Sequence, residues 1–296
     1  EIVYEYLRQA LKRKKHLVTA NKAIISRYFV ELNALAQASQ VKLGFEASVG
    51  AAMIIVDPLI NLSRVNQINA IEGIINGSTN YILSRIFKDN LSLLAAKAEA
   101  LEKGYIESGT DDDLGGYDLM RKINILAMIA YKCEIKENQI ARMSLDVLDQ
   151  ELITFLKNNE LEIKYLATAK KLKEVLTVHL EPVILNKLHF YNNFSYEQNI
   201  VIVNGEYHKQ LMFSGIGAGG DETASAIIYD LLKIDEKHYF NPKHKAKIDN
   251  EQEKFNWLIK ENGRFVVSEP MSINEMQTNK SSLPIRIHPS AIKSFE

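Results

Sequence analysis

The apolar positions of this chain fall into alternating helical and strand-like periods. Ile2, Val3, Tyr6, Leu7, Ala10 and Leu11 recur at helical spacing, and the basic stretch Lys12–Lys15 follows. Basic side chains suit the negative end of a helix dipole, so a helix ends there. His16–Thr19 is a short apolar run that reads as a strand, 22–39 as a second helix, and 41–49 as a buried strand closed by Gly50. Strand, helix, strand with short joins predicts a parallel α/β layer, entered part-way through because Glu1 already lies in a helical pattern.

After Pro58 the character changes. A strand is predicted at 68–75, with helices at 79–88, 92–103, 118–132 and 145–157. Strand-like runs follow at 165–169, 175–180, 200–203 and 210–213, with Asn204-Gly205 as the hairpin turn signal. A glycine-rich run, 215–220, precedes a helix ending at Leu232. Beyond it the chain is polar and lysine-rich; 255–259 and 264–268 pair as a hairpin, and 274–282 reads as a loop.

A length of 296 residues is enough for about two domains. Its 36 basic and 37 acidic residues leave a net charge of −1, which argues against nucleic acid as the main partner. The single cysteine, Cys133, excludes an internal disulfide and a multi-cysteine metal site and fits a reducing compartment. No apolar run has the length of a membrane span and no secretory signal is read, so the expected location is cytoplasmic.

The densest candidate chemistry is the stretch from Tyr105 to Asp118, rich in acid and glycine, with Arg121 and Lys122 behind it. Asp118 and Lys122 stand four apart and share one helix face. The rest of that helix is apolar, so a lysine there is a candidate proton donor tuned by burial and neighbouring charge. Glu107, Asp113 and Asp118 suit a substrate ammonium. The same pattern also describes an acidic loop with a surface ion pair, whereas an EF-hand lacks its closing glutamate. Gly215–Gly220 matches G-x-G-x-x-G between a strand and a helix, but no second strand with a ribose-binding acid follows. Three further features are Thr19-Ala20-Asn21-Lys22 at a strand–helix junction, Phe45–Gly50 at a strand end, and the polar turn Asn76–Tyr81, which also suits a helix N-cap.

In this order, TANK, FEASVG, NGSTNY, GYIE…DDDLGGYDLMRK and GIGAGG-x-x-TASA, these features resemble the homoserine dehydrogenase family over residues 1–232. The resemblance implies an incomplete Rossmann-type nucleotide-binding domain joined to an α+β catalytic domain with a mixed sheet. It places the C-terminal part of the dinucleotide domain at 1–52, the catalytic and dimerisation domain at 53–205, and the return to the nucleotide domain at 206–232. Residues 233–296 are then an extension of unknown role. They lack the strand–acid–proline–glycine start of the ACT regulatory module that many members carry.

The activity implied is the NAD- or NADP-dependent interconversion of L-aspartate 4-semialdehyde and L-homoserine, on the way to threonine, methionine and isoleucine. The family's catalytic lysine falls on Lys122. Its substrate-binding positions fall on Glu107, Asp118, Asp113, Lys22, Tyr105 and Ser78, and its cofactor contacts on Lys22 and Gly219. A monovalent cation, usually sodium, is expected at Glu46, Val49, Ala51 and Met53, largely through backbone carbonyls. A homodimer is implied as well. Gly109-Thr110 replaces the family's Asp-Pro, and Ser78 replaces the threonine of its NGT. A complete family member would carry about 80–100 residues ahead of Glu1, the size of a βαβαβ half. Another amino-acid-linked dehydrogenase, or a truncated non-catalytic paralogue acting as a binding or dimerisation partner, are the competing expectations.

Overall fold

The computed structural model of the chain describes residues 2–106, 112–236, 242, 244–279 and 282–295. It opens with helix α1 (Ile2–Lys12), strand β1 (Leu17–Val18), helix α2 (Lys22–Ser39) and strand β2 (Leu43–Gly44). β1 and β2 pair in parallel, as the alternation predicts, with Leu17 opposite Leu43. The expected strand at 41–49 stops at Gly44. The Glu46 amide donates to Asp230 Oδ2 at 2.8 Å, and Glu46–Ser48 curl into a single 3₁₀ turn.

Helix α3 (Val56–Val65) then leads to strand β3 (Ile68–Ile74), helix α4 (Gly77–Phe87), helix α5 (Leu93–Glu102) and helix α6 (Tyr117–Tyr131). α6 is apolar on nearly every face, which marks a helix buried all round. It packs against α2 and α3 on one side and the sheet on the other. Its buried Asn124 donates to the Ser26 carbonyl and hydroxyl and to the Ile135 carbonyl, tying it to α2.

Short strands β4 (Cys133–Glu134) and β5 (Ala141–Arg142) precede helix α7 (Gln150–Asn158). α7 starts later than the periodicity predicted, because Asp149 accepts from the Leu152 amide and caps it there. Next come β6 (Leu161–Leu172), β7 (Val175–Asn186), β8 (Gln198–Gly205) and β9 (Lys209–Ile216), then helix α8 (Gly220–Leu232), which packs on β1 and β2. The β8–β9 turn lies two residues beyond its predicted place. Gly205 pairs with Lys209, and 206–208 make the bend. A Cβ at Gly205 would sit 2.3 Å from the His208 ring, so a larger residue there would have to displace that ring.

The C-terminal region supplies β10 (His244–Lys245), β11 (Trp257–Glu261), β12 (Arg264–Val267), helix α9 (Ile273–Thr278) and β13 (Ser282–Ile287). β11 and β12 form the predicted hairpin. The stretch 274–282, expected as a loop, is instead mostly α9 and the start of β13. Ser272 and Glu275 form a reciprocal capping box, and Ile273 and Met276 bury one face.

Nine of the described strands make one mixed sheet, ordered β12-β11-β13-β7-β6-β3-β8-β9 with β5 beside β7. The pairs of β3 with β6 and β8 are antiparallel, while β13 and β5 run parallel to β7. β9, at the start of the segment 206–232, is thus a sheet strand. Of the C-terminal strands, β11, β12 and β13 extend the same sheet, whereas β10 pairs in parallel with β4. None of the described helices is long and apolar enough to cross a membrane.

Candidate active site

Three helix N-termini converge on one buried cluster. α2 begins just after β1; Thr19 Oγ1 accepts from the Asn21 amide and Asn21 Oδ1 caps the helix through the Ile24 amide. This double turn puts Lys22 at the head of α2. Its Nζ lies 2.5 Å from Asp118 Oδ1. α4 begins after β3, where Asn76 Oδ1 accepts from the Thr79 amide and hydroxyl. α6 begins after Gly116, with Asp118 in its first turn. A carboxylate in a first turn is favoured by the helix dipole.

Gly116 sets this corner. It holds φ +82°, and a Cβ would stand 2.1 Å from the Tyr165 hydroxyl. That hydroxyl donates to the Met143 carbonyl at 2.6 Å. Only glycine combines the left-handed backbone with so close an approach.

Asp118 is the hub. Its Oδ2 accepts from Lys122 Nζ at 3.0 Å and from Asn76 Nδ2 at 2.8 Å. Asn76 Nδ2 also donates to Asp113 Oδ1 at 2.8 Å. Lys122 Nζ donates to the Ile75 carbonyl at 2.9 Å, so two of its three donors are engaged. The Asp118 and Lys122 side chains are 6% and 8% exposed, whereas Lys22 is 41% exposed and so forms the solvent edge of the cluster.

These contacts set the protonation states. Burial works to raise the Asp118 carboxyl, but the charges of Lys122 and Lys22 and the bonds from Lys22 and Asn76 outweigh it, and it stays ionised. Burial lowers Lys122; Asp118 opposes this and the Lys22 charge adds to it, leaving the amine more acidic than usual. Burial would lower Lys22 too, but attraction to Asp118 reverses the direction and holds it charged. Asp113 is raised by burial and the Asp118 charge, against its bond from Asn76. One lysine is therefore held as a cation beside another whose amine burial makes more acidic.

The structure brings together Lys22, Asp113, Asp118 and Lys122 of the residues picked from the sequence. Ser78 is buried in the first turn of α4, next to this cluster along the chain. Tyr105 turns to Glu197, whose carboxylate accepts its hydroxyl hydrogen. Glu107 lies outside the described residues. Gly219 immediately precedes α8. Asn76 was read from sequence as part of a polar turn that also suits an N-cap, without a partner for its side chain. An N-cap asparagine commits Oδ1 to its helix, so its amide hydrogens must find acceptors elsewhere, and here they bridge two acids.

The Glu46 carboxylate has a different task. Its oxygens accept from the Ile55, Val56 and Asp57 amides at 2.7–2.8 Å, capping α3. Burial pushes this carboxyl up to about 7, against those three donors. Asp57 in turn meets Tyr229 of α8 and Lys233, just past its end, at 2.8 Å each. The Glu46 side chain is thus committed to the start of α3. Ala51 holds φ +49°, the left-handed conformation rare for a non-glycine residue. Among the described residues no cluster of three or more His, Cys, Asp or Glu side chains is placed for a metal ion.

Comparison with known proteins matches residues 55–232 to the family described as homoserine dehydrogenase. Homoserine dehydrogenase of Synechocystis is 35% identical over 230 residues, covering 76% of this chain and 53% of the relative. The crystal structure of a homoserine dehydrogenase from Thiobacillus denitrificans superposes with a TM-score of 0.86 at 23% identity, over 97% of this chain and 80% of that one. A hyperthermophilic archaeal homoserine dehydrogenase in complex with NADPH superposes at 0.68 with 24% identity, over 80% and 70% of the two chains. The chain spans about half the length of the curated relatives it matches. With more than half of its residues inside the family match and the acid–lysine cluster at its centre, this chain belongs to the homoserine dehydrogenase family.

Proposed function

We propose that the protein bearing this chain is a cytoplasmic NAD(P)-dependent homoserine dehydrogenase that interconverts L-aspartate 4-semialdehyde and L-homoserine, a step towards threonine, methionine and isoleucine. The observation that carries this reading is the buried Lys122–Asp118–Lys22 cluster at three helix N-termini. Lys22 and Gly219 are the residues of this chain that would hold the nicotinamide cofactor. Lys22 stands just past the C-terminal end of parallel strand β1, where ligands of open α/β sheets sit. When bound, the cofactor supplies the hydride.

The chain's own residues handle the proton and the orientation. In aldehyde reduction Lys122 directs its remaining donor at the substrate carbonyl oxygen and gives a proton to the alkoxide as it forms. In alcohol oxidation the neutral amine accepts the hydroxyl proton. Asp118 stays ionised and holds both lysines in place, so the donor is fixed before the substrate arrives. Glu107, Asp113 and Asp118 supply the negative charge that a substrate ammonium needs, with Tyr105 and Ser78 completing the substrate pocket.

A sodium ion on the carbonyls of Glu46, Val49, Ala51 and Met53, and pairing of two protomers through the catalytic domain, complete the proposal. The test is homoserine-dependent reduction of NAD or NADP by the purified intact protein. Turnover with homoserine but not with other hydroxy or amino acids is expected. No turnover with either cofactor overturns the reading.

A further inference from the structure

We infer that Glu197 is a positioning residue that fixes the substrate-side segment beginning at Tyr105 against the turn leading to Gly219; this rests on the function proposed above. The argument begins with a buried lysine. Lys164 on β6 is 2% exposed, and its Nζ donates to Asn80 Oδ1 at 2.9 Å and to the Phe194 carbonyl at 2.8 Å. Asn80, in α4, passes the restraint on: its Nδ2 donates to the Phe194 carbonyl at 3.3 Å and the Gln198 carbonyl at 3.0 Å. Ser84, one turn along α4, accepts from the Tyr196 amide at 2.8 Å. The 194–198 segment is thus clamped to α4 and β6 at both ends.

Glu197 projects from the middle of this clamp in two directions. Its carbonyl accepts from the Gly217 amide at 3.0 Å, which fixes the start of the turn to Gly219. Gly217 can pack there because it has no side chain; a Cβ would overlap the Asn199 amide at 1.8 Å. The carboxylate of Glu197 takes the hydrogen of Tyr105, whose ring also lies 4.6 Å from that of Tyr81 on α4. Tyr105 stands two residues before Glu107. One residue therefore links the start of the acidic loop to the start of the glycine turn, and neither end lies on the same element as the other. With its hydrogen committed to Glu197, the Tyr105 oxygen can only accept, so the group it meets in a substrate is a donor such as an ammonium.

The experiment uses the intact protein and four variants: Glu197→Ala, Glu197→Gln, Tyr105→Phe and the Glu197→Ala/Tyr105→Phe pair. Glu197→Ala and Tyr105→Phe are each expected to raise KM for homoserine by about tenfold, the scale of one charge-assisted hydrogen bond, with KM for the cofactor within about twofold of wild type. The double variant is expected to be no worse than the worse single one, because both remove the same bond. Glu197→Gln, whose amide oxygen still accepts, is expected to recover most of the loss. Hydrogen exchange gives a readout independent of turnover: amides of Gly104–Ile106 exchange faster in Glu197→Ala and Tyr105→Phe but not in Glu197→Gln. Additive effects of the two substitutions, equal rises in both KM values, or unchanged exchange would overturn the inference. An inactive wild type with the expected exchange pattern would instead overturn the proposed activity and leave the positioning role standing.

Discussion

Lys122 Nζ lies 3.0 Å from Asp118 Oδ2, one helical turn away, and both side chains are buried. The pair is not a surface i,i+4 bridge of a few tenths of a kcal/mol. It is buried, and Lys22 and Asn76 join it through Asp118. Lys122→Ala is expected to lower kcat by about 10²–10⁴, the usual worth of a positioned acid or base, with cofactor affinity retained. Lys122→Arg is expected not to restore it, since a guanidinium does not give up its proton near neutral pH. Steady-state kinetics with cofactor titration by fluorescence checks both. Near-normal turnover in Lys122→Ala would remove the lysine from the chemistry.

The two neighbours of Lys122 act on it with opposite sign. Asp118 raises its pKa and the Lys22 charge lowers it. Asp118→Asn should therefore move the limb of the pH–rate profile that reports Lys122 to lower pH. Lys22→Met should move it to higher pH, because it removes a like charge and leaves Lys122 as the cation paired with Asp118. For homoserine oxidation this limb is the acid one, where the amine must be neutral. Profiles of kcat/KM for the three proteins measure the shifts. Shifts in the same direction for both variants would contradict the assigned couplings.

The corner before α6 predicts a stability effect. Gly116→Ala must hold φ near +82° and place a methyl 2.1 Å from the Tyr165 hydroxyl. Left-handed strain and overpacking together are expected to cost about 2–4 kcal/mol, read as a lower urea midpoint. Adding Tyr165→Phe should recover part of the loss, since the contact with the hydroxyl goes while the 2.8 Å approach to Leu180 Cδ1 and the backbone strain stay. A double variant no more stable than Gly116→Ala would mean that relief of the hydroxyl contact does not outweigh the lost bond to the Met143 carbonyl.

Much of this arrangement was legible in the sequence, and the parts that were not share a cause. The helix and strand periods of α2, β3, α6 and α8 gave their places. The Asp118–Lys122 spacing gave the shared face. The Lys22–Asp118 bond was not readable from spacing, because the residues are far apart in the chain and meet only when α2 packs on α6. The same holds for Glu46, which turns inward because Asp230 of α8 takes its amide; a strand was expected through that point. α9 was hidden by its polar composition, although Ser272 and Glu275 carry the capping-box spacing. Glu197 gave no signal at all: its role depends on Lys164, Asn80 and Tyr105, none near it in sequence.

The C-terminal strands are anchored by buried charge, which predicts a pH-dependent stability. His179 Nδ1 lies 2.7 Å from Glu181 Oε2, and Arg286 of β13 pairs with the other Glu181 oxygen. Glu253 meets Lys170 of β6 at 2.5 Å and Thr177 at 2.9 Å, with His179 Nε2 3.7 Å away. The Phe255 ring lies 4.3 Å from the Arg286 guanidinium and 5.6 Å from the His179 ring. Burial works to lower His179, but the Glu181 charge and hydrogen bond, with the Glu253 carboxylate close by, outweigh it and hold the ring up to about 9. Glu253 is held down at about 2: burial would raise it, and the nearby His179 ring with the bonds from Lys170 and Thr177 prevails. A raised histidine stabilises fully below its unfolded value of about 6.5 and loses that contribution as pH rises through about 9. A depressed glutamate stabilises above its ordinary value and loses its contribution only as pH falls toward about 2. Stability should therefore fall between pH 7 and about 9.5, well above the carboxylate range. His179→Gln is expected to cost on the order of a few kcal/mol at pH 6 and to flatten that alkaline slope. Urea unfolding at a series of pH values, followed by Trp257 fluorescence, measures it, because Trp257 is fully buried on β11 beside this cluster. The same slope in wild type and His179→Gln would show that another group titrates on unfolding and that His179 is not the residue holding the C-terminal strands in register.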